Sequence, residues 1–286
     1  MGGHPYPDAC GHFSGGRAFP LGRGAAGAAS VQGQAFPRNR GVSAAGAASF
    51  KFGKAGAGSV RQGAGYVGGV DPATVDGDVE RSLQTMVTIA AEEHAGIDLH
   101  LHDPDRLGIF TIKRLAELTV EAGLQGKVAV SHAFSLGDIP AAQAAEMADM
   151  LADAGITIIT SVPMGRKFPP VRLLHDHGVA VAVGCDNVFD IWSPFGNGDI
   201  LERAGRLAEI SGFANERALG QTLGYITGGV TPLDEAGVQA WPKAGDEANL
   251  VLVEASCSAE AVARRSKRAA TLYKGVVVAG ALAQEQ

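Results

Sequence analysis

The sequence predicts an α/β fold: parallel strand–helix units as in a (β/α)8 TIM-type barrel, followed by a small C-terminal β-rich appendage. Three observations carry this prediction. From residue 66 onward, short apolar runs alternate with amphipathic segments of helical period, the pattern of parallel pairing with right-handed crossovers. The runs are apolar throughout, as in Val179-Ala180-Val181-Ala182-Val183, so both faces of the sheet are covered. Polar residues gather just after the runs, where a parallel barrel keeps its chemistry.

Residues 1–65 come first in the chain and stand outside this pattern. They are rich in Gly and Ala and carry seven Lys/Arg against one acid, Asp8, although the whole chain has a formal charge of −6. They show no strand or helix periodicity and too little apolar surface to offset chain entropy, so they are expected to be disordered. A strand follows at 66–70 and a helix over 74–94. Next come strand 97–101, helix 109–123, strand 127–131, helix 141–154, strand 156–161, helix 168–177, strand 179–184 and helix 197–211. These are five strands, where a closed barrel has eight. A helix over 214–227 precedes a strand at 248–253, a short helix near 259–266 and two strands around the turn-like Lys274-Gly275. The expected domains are therefore 1–65, a barrel portion at 66–235 and a C-terminal segment at 236–286.

Bulk properties exclude several classes. No apolar run approaches the roughly 18 residues of a membrane span, and the N-terminus has no signal-peptide pattern. Cys10, Cys185 and Cys257 are too far apart for a zinc ribbon or a disulfide framework and suit a reducing cytoplasm. The negative balance argues against nucleic acid. The expected partner is a small-molecule substrate, with no membrane and no nucleic acid; homo-oligomer formation stays open.

The segment Gly96-Ile97-Asp98-Leu99-His100-Leu101-His102-Asp103 is the most informative stretch. Alternation sends Asp98, His100 and His102 to one face and Ile97, Leu99 and Leu101 to the other. Imidazole and carboxylate are the usual donors of a hydrolytic Zn or Fe centre. Ser131-His132 and Cys185-Asp186 close later strands in the same way. A lone strand-end histidine is as often a hydrogen-bonded turn residue as a ligand, but polar ends on successive strands are harder to dismiss. The set suits attack of water on an electrophilic carbon, with a divalent ion lowering the pKa of the water. Asp186 can ligate the ion and accept a proton, Asp103 can carry that proton to a leaving nitrogen, and His132 can orient the nucleophile. Phe189 and Trp192, just beyond, can stack on a flat heterocycle or simply pack on the rim.

These residues resemble the amidohydrolase superfamily, specifically its cytosine deaminase-like branch, over roughly residues 66–280. The most specific part is Gly184-Cys185-Asp186-Asn187-Val188-Phe189-Asp190-Ile191-Trp192-Ser193-Pro194-Phe195-Gly196, similar to that family's strand-eight signature G-x-D-[DN]-V-x-D-x-W-x-P-x-G. The resemblance implies a barrel represented by about strands four to eight, with a C-terminal contribution to a β-sandwich. It implies one divalent ion, Zn or Fe, with His100 and Asp186 as ligands. His132 would touch the water or substrate, Asp186 would also accept a proton, and Asp103 would stand for the proton-shuttling glutamate. Asn187, Trp192 and His102 would line the substrate pocket. The implied reaction is deamination of a small, cytosine-like nitrogen heterocycle.

The chain departs from the family pattern at three points. Asp103 is one methylene shorter than glutamate. Asn187 stands where cytosine deaminases tend to have a second, substrate-recognising aspartate. The strand-one H-x-H pair is absent from its expected place. His100-x-His102 is not that pair, because only about 85 residues separate it from Asp186, room for three βα units rather than seven. Two alternatives stay open: a lactonase or phosphotriesterase relative on the same barrel, and a truncated, inactive amidohydrolase-like protein. Trp192 and the following Ser-Pro-Phe-Gly argue for the deaminase branch.

Overall fold

The computed structural model describes residues 17–20, 39–41, 57–58 and 60–281. Two short strands, β1 (Arg17–Pro20) and β2 (Asn39–Gly41), lie inside the segment expected to be disordered. That expectation is corrected for these residues; the rest of residues 1–56 lies outside the described part. Neither strand has a β pattern of its own. Each takes its conformation from a partner strand, since pairing outweighs local propensity.

The chain divides into two compact units, Gly27–Ala182, and Val183–Gln286 with Met1–Ala26. These bounds differ from the expected limits at 65/66 and 235/236. The central sheet runs in sequence order: β2, β3 (Ala64–Val70), β4 (Gly96–Leu101), β5 (Val128–His132), β6 (Ile156–Thr160) and β7 (Val181–Val183). The pairs from β2 through β6 are parallel. Among the described residues the sheet thus has six strands, one more than the five expected, the addition being β2.

Helices Val79–Glu92, Asp105–Glu121, Ala141–Asp153 and Val171–Asp176 connect the strands. Their apolar stripes meet the apolar face of the sheet. Ile97, Leu99 and Leu101 of β4, with Val130 and Ile158, form one core with Leu83, Met86, Ile112, Leu115 and Leu151. The last three of these helices each end two residues before a left-handed glycine: Gly123, Gly155 and Gly178, with φ of 65°, 61° and 83°. A residue with no Cβ adopts that conformation freely, which stops the helix and turns the chain back to the sheet.

The second unit is built around an antiparallel sheet, ordered β1, β8 (Leu250–Val253), β9 (Arg268–Tyr273) and β10 (Val276–Gly280). Lys274 and Gly275 make the β9–β10 hairpin turn, left-handed at both positions as a tight two-residue turn requires. The single helix expected over 214–227 is instead two, Glu216–Gln221 and Gly224–Thr227. Bonds of the tighter i→i+3 kind, from Leu223 N–H to Gly220 and from Ile226 N–H to Leu223, interrupt the α ladder there. Leu201, Ala208, Leu223, Val253, Ala261 and Val262 form this unit's own core. No helix among the described residues is long and apolar enough to cross a membrane.

Candidate active site

The site of the first unit grows from the register of β3, β4 and β5. Val70 stands beside His100, His100 beside Ser131, and Leu101 beside His132. The alternation read in β4 is present: Ile97, Leu99 and Leu101 are fully buried in the core. Asp98, on the opposite face, accepts a hydrogen bond from the Ser131 hydroxyl at 2.8 Å.

His132 reaches the site by breaking that alternation. Its strand neighbour Leu101 faces the core, so a regular strand would send His132 there too. Instead His132 (φ 72°) and Ala133 (φ 47°) are left-handed. Such backbone costs of order 1–3 kcal/mol and clusters at functional sites. The His132 ring therefore lies against His100, with centroids 4.2 Å apart and the two Nε2 atoms 3.0 Å apart. His102 joins them, its ring centroid 4.6 Å from that of His100 and 4.5 Å from that of His132.

Asp71, at the end of β3, fixes His102. One oxygen accepts the ring Nδ1–H at 2.9 Å; the other accepts the backbone N–H groups of His102 and Asp103 at 2.5 and 3.1 Å. Burial alone would raise the Asp71 carboxyl, but these donors and the charge of His102 hold it below the usual carboxylate range. Burial first, then the fields of His100, His102 and Arg166, push the His132 imidazole down to about 3, so it is neutral near pH 7. Phe134 backs the group, its ring 5.1 Å from His132, and the Arg166 guanidinium lies 3.7 Å above that ring. A cavity of about 530 Å³, lined in part by Leu136, Ile139, Arg166, Lys167, Phe168 and Leu173, opens on the same unit.

One ring nitrogen from each of the three histidines lies within 4.8 Å of the other two. A d-block ion with Zn–N bonds near 2.0–2.1 Å needs neutral imidazoles converging on about this scale. The donor set fits such an ion.

The residues proposed from sequence fare differently. His100, His102 and His132 come together. His102, expected to line the substrate pocket, stands among the candidate ligands. Asp103 is 1% exposed. Its oxygens accept the Ala73 N–H at 3.1 Å and the Thr74 hydroxyl at 2.7 Å. Asp103 thus fastens the loop after β3. Asp186, Asn187 and Trp192 belong to the second unit. Asp186 is exposed just after β7. The Asn187 amide donates to both carboxylate oxygens of Asp190 at 3.1 Å, inside a turn that also binds the Trp192 and Ser193 N–H groups. Trp192 is 84% exposed.

Sequence reading missed Asp71, Phe134 and Arg166. Asp71 had a usable signal: it directly follows a strand, the same position that drew attention to His102 and Asp186. Phe134 and Arg166 lie in loops and had none.

A family model described as Amidohydrolase family matches residues 25–283. The uncharacterised protein YahJ of Escherichia coli (strain K12) is 46% identical over 227 residues, covering 79% of this chain and 49% of that protein. The N-isopropylammelide isopropyl amidohydrolase of Pseudomonas sp. (strain ADP) is 31% identical over 220 residues, covering 77% of this chain and 55% of that one. Among solved structures, N-isopropylammelide isopropylaminohydrolase from Burkholderia multivorans superimposes with a TM-score of 0.70 at 30% identity, covering 79% of this chain and 57% of that one. The chain spans about half the length of the curated relatives it matches.

Proposed function

The chain belongs to the amidohydrolase family, and from that premise we propose that it serves metal-dependent hydrolysis of a C–N bond, releasing ammonia or an amine from a small nitrogen heterocycle of the cytosine or ammelide kind. The observation that carries this reading is the convergence of His100, His102 and His132 at the carboxyl ends of two adjacent parallel strands. Relatives named for an amidohydrolase reaction on N-isopropylammelide support the substrate class.

A divalent ion, Zn or Fe by donor chemistry, supplies Lewis acidity when bound, so that water becomes a nucleophile near neutral pH. His100 and His132, side by side at the ends of β4 and β5, would hold it. Trp192 offers an indole face to the flat ring, and Asn187 offers a donor and an acceptor to its edge. Asp103 fastens the loop after β3, its oxygens accepting from the Ala73 N–H and the Thr74 hydroxyl.

The test is release of ammonia or amine from a panel of amino- and alkylamino-substituted pyrimidines and triazines. Activity should depend on added divalent ion and be lost in His100→Ala. Full turnover by metal-free protein would overturn the proposal.

A further inference from the structure

Asp71 and His102 form a pair that the reaction above does not use. His102 has one ring nitrogen engaged by Asp71 and the other available, with a side chain 37% exposed. A carboxylate on Nδ1 keeps the proton there. The Nε2 lone pair is then the only one the ring can present. Carboxylate–imidazole pairs of this kind orient metal-binding histidines and raise their basicity.

Three features single out this pair. Asp71 is buried, and its other oxygen is tied to two backbone N–H groups, so the carboxylate cannot swing away from the ring. His102 stands with His100 and His132 in the group whose ring nitrogens lie within 4.8 Å of one another. The three histidines and Asp71 all belong to one compact unit, Gly27–Ala182.

On the reading that this is a metal-dependent hydrolase, we propose that His102 is a third protein ligand beside His100 and His132. Asp71 is then the positioning residue that presents its Nε2. A set of three neutral imidazoles favours late first-row divalent ions such as Co, Ni and Zn over Mg or Ca, and leaves a fourth position open. The histidine group would then bind such an ion without a strand-one H-x-H pair.

The test is binding of Co²⁺ to the full chain, read by its visible absorption and by competition with a chelator. Wild type, Asp71→Asn, His102→Gln and His100→Ala are compared, with circular dichroism of each metal-free protein as the folding control. Asparagine preserves the shape of Asp71 and can still accept the backbone N–H bonds. It weakens the hold on the ring. Asp71→Asn should therefore fold as wild type yet bind Co²⁺ about 10–100-fold more weakly, with an altered spectrum. His102→Gln should lose at least as much.

Wild-type affinity and spectrum in both variants would overturn the inference. Should His102→Gln not fold, Asp71→Asn decides alone. His100→Ala separates the two levels of the argument. If it loses binding while Asp71→Asn and His102→Gln keep it, only the role of His102 fails. If it binds as wild type, the metal reading of the site fails as well.

Discussion

Gly108 offers a direct test of how the helix Asp105–Glu121 seats against the strand-end loop that carries the site. A Cβ at this position would fall against the backbone carbonyl oxygen of Asp103. It would also lie 2.5 and 2.6 Å from Oγ and Cβ of Ser135. All three atoms belong to groups with little freedom: a backbone carbonyl and a fully buried side chain. Gly108→Ala therefore cannot be absorbed by one rotamer change, and the first turn of the helix must back away. Overpacking of this kind costs about 1–3 kcal/mol. Replacing glycine by alanine inside a helix returns up to about 1 kcal/mol. With no rotamer change to relieve the overlap, the upper part of that cost, about 2–3 kcal/mol, applies, so the net expectation is a loss of about 1–2 kcal/mol, or about 2–8 °C in Tm for a chain of this size. Gly220→Ala is the matched control: its Cβ would meet only the Ser258 Cβ at 3.6 Å, an ordinary contact. It should be neutral or stabilising. Thermal and urea unfolding of both variants against wild type decide the matter. A Gly108→Ala protein as stable as wild type would refute the close seating of the helix on the Asp103 carbonyl and Ser135.

Other outcomes follow from the second unit and from the site. Burial pushes the Asp199 carboxyl up, but the Arg268 guanidinium and the N–H groups of Glu202 and Leu201 outweigh it and hold the group below the usual carboxylate range. A depressed folded-state value means this stability is present above about pH 4 and lost as pH falls through the folded value. Arg268→Gln should therefore flatten the loss of stability between about pH 4 and the folded value, measured by urea titration at a series of pH values; an unchanged slope would contradict it. Asp103→Ala removes the acceptor of the Ala73 N–H and the Thr74 hydroxyl and should cost about 1–3 kcal/mol of stability. Asp103→Asn, which keeps one acceptor oxygen, should recover part of that stability. A large fall in kcat with unchanged stability in Asp103→Asn would instead restore Asp103 as a proton carrier. Trp192→Ala, at an exposed site, should move unfolding by less than about 0.5 kcal/mol while raising KM for the heterocycle. A KM equal to that of wild type would remove Trp192 from the pocket.

Much of the fold was legible from periodicity. The strands from β3 to β7 and the helices between them lie within a few residues of their expected places, because a buried parallel strand and an amphipathic helix each write a local pattern. β1 and β2 were not legible. Their residues have no β pattern of their own, and their partners lie far along the chain for β1 and beyond a long intervening segment for β2. The break between Gln221 and Gly224 was missed because helical periodicity continues across it.

The candidate site divides in the same way. Alternation in β4 was enough to set His100 and His102 on one face and to bury Ile97, Leu99 and Leu101 on the other, since a strand's two-residue period is a local property of the backbone. Which polar residues then meet was decided by the tertiary structure. Register puts β3, β4 and β5 side by side, a left-handed backbone turns His132 toward His100, and Asp71 grips a histidine 31 residues away. Those relations depend on contacts between strands, for which a single strand's pattern holds no record.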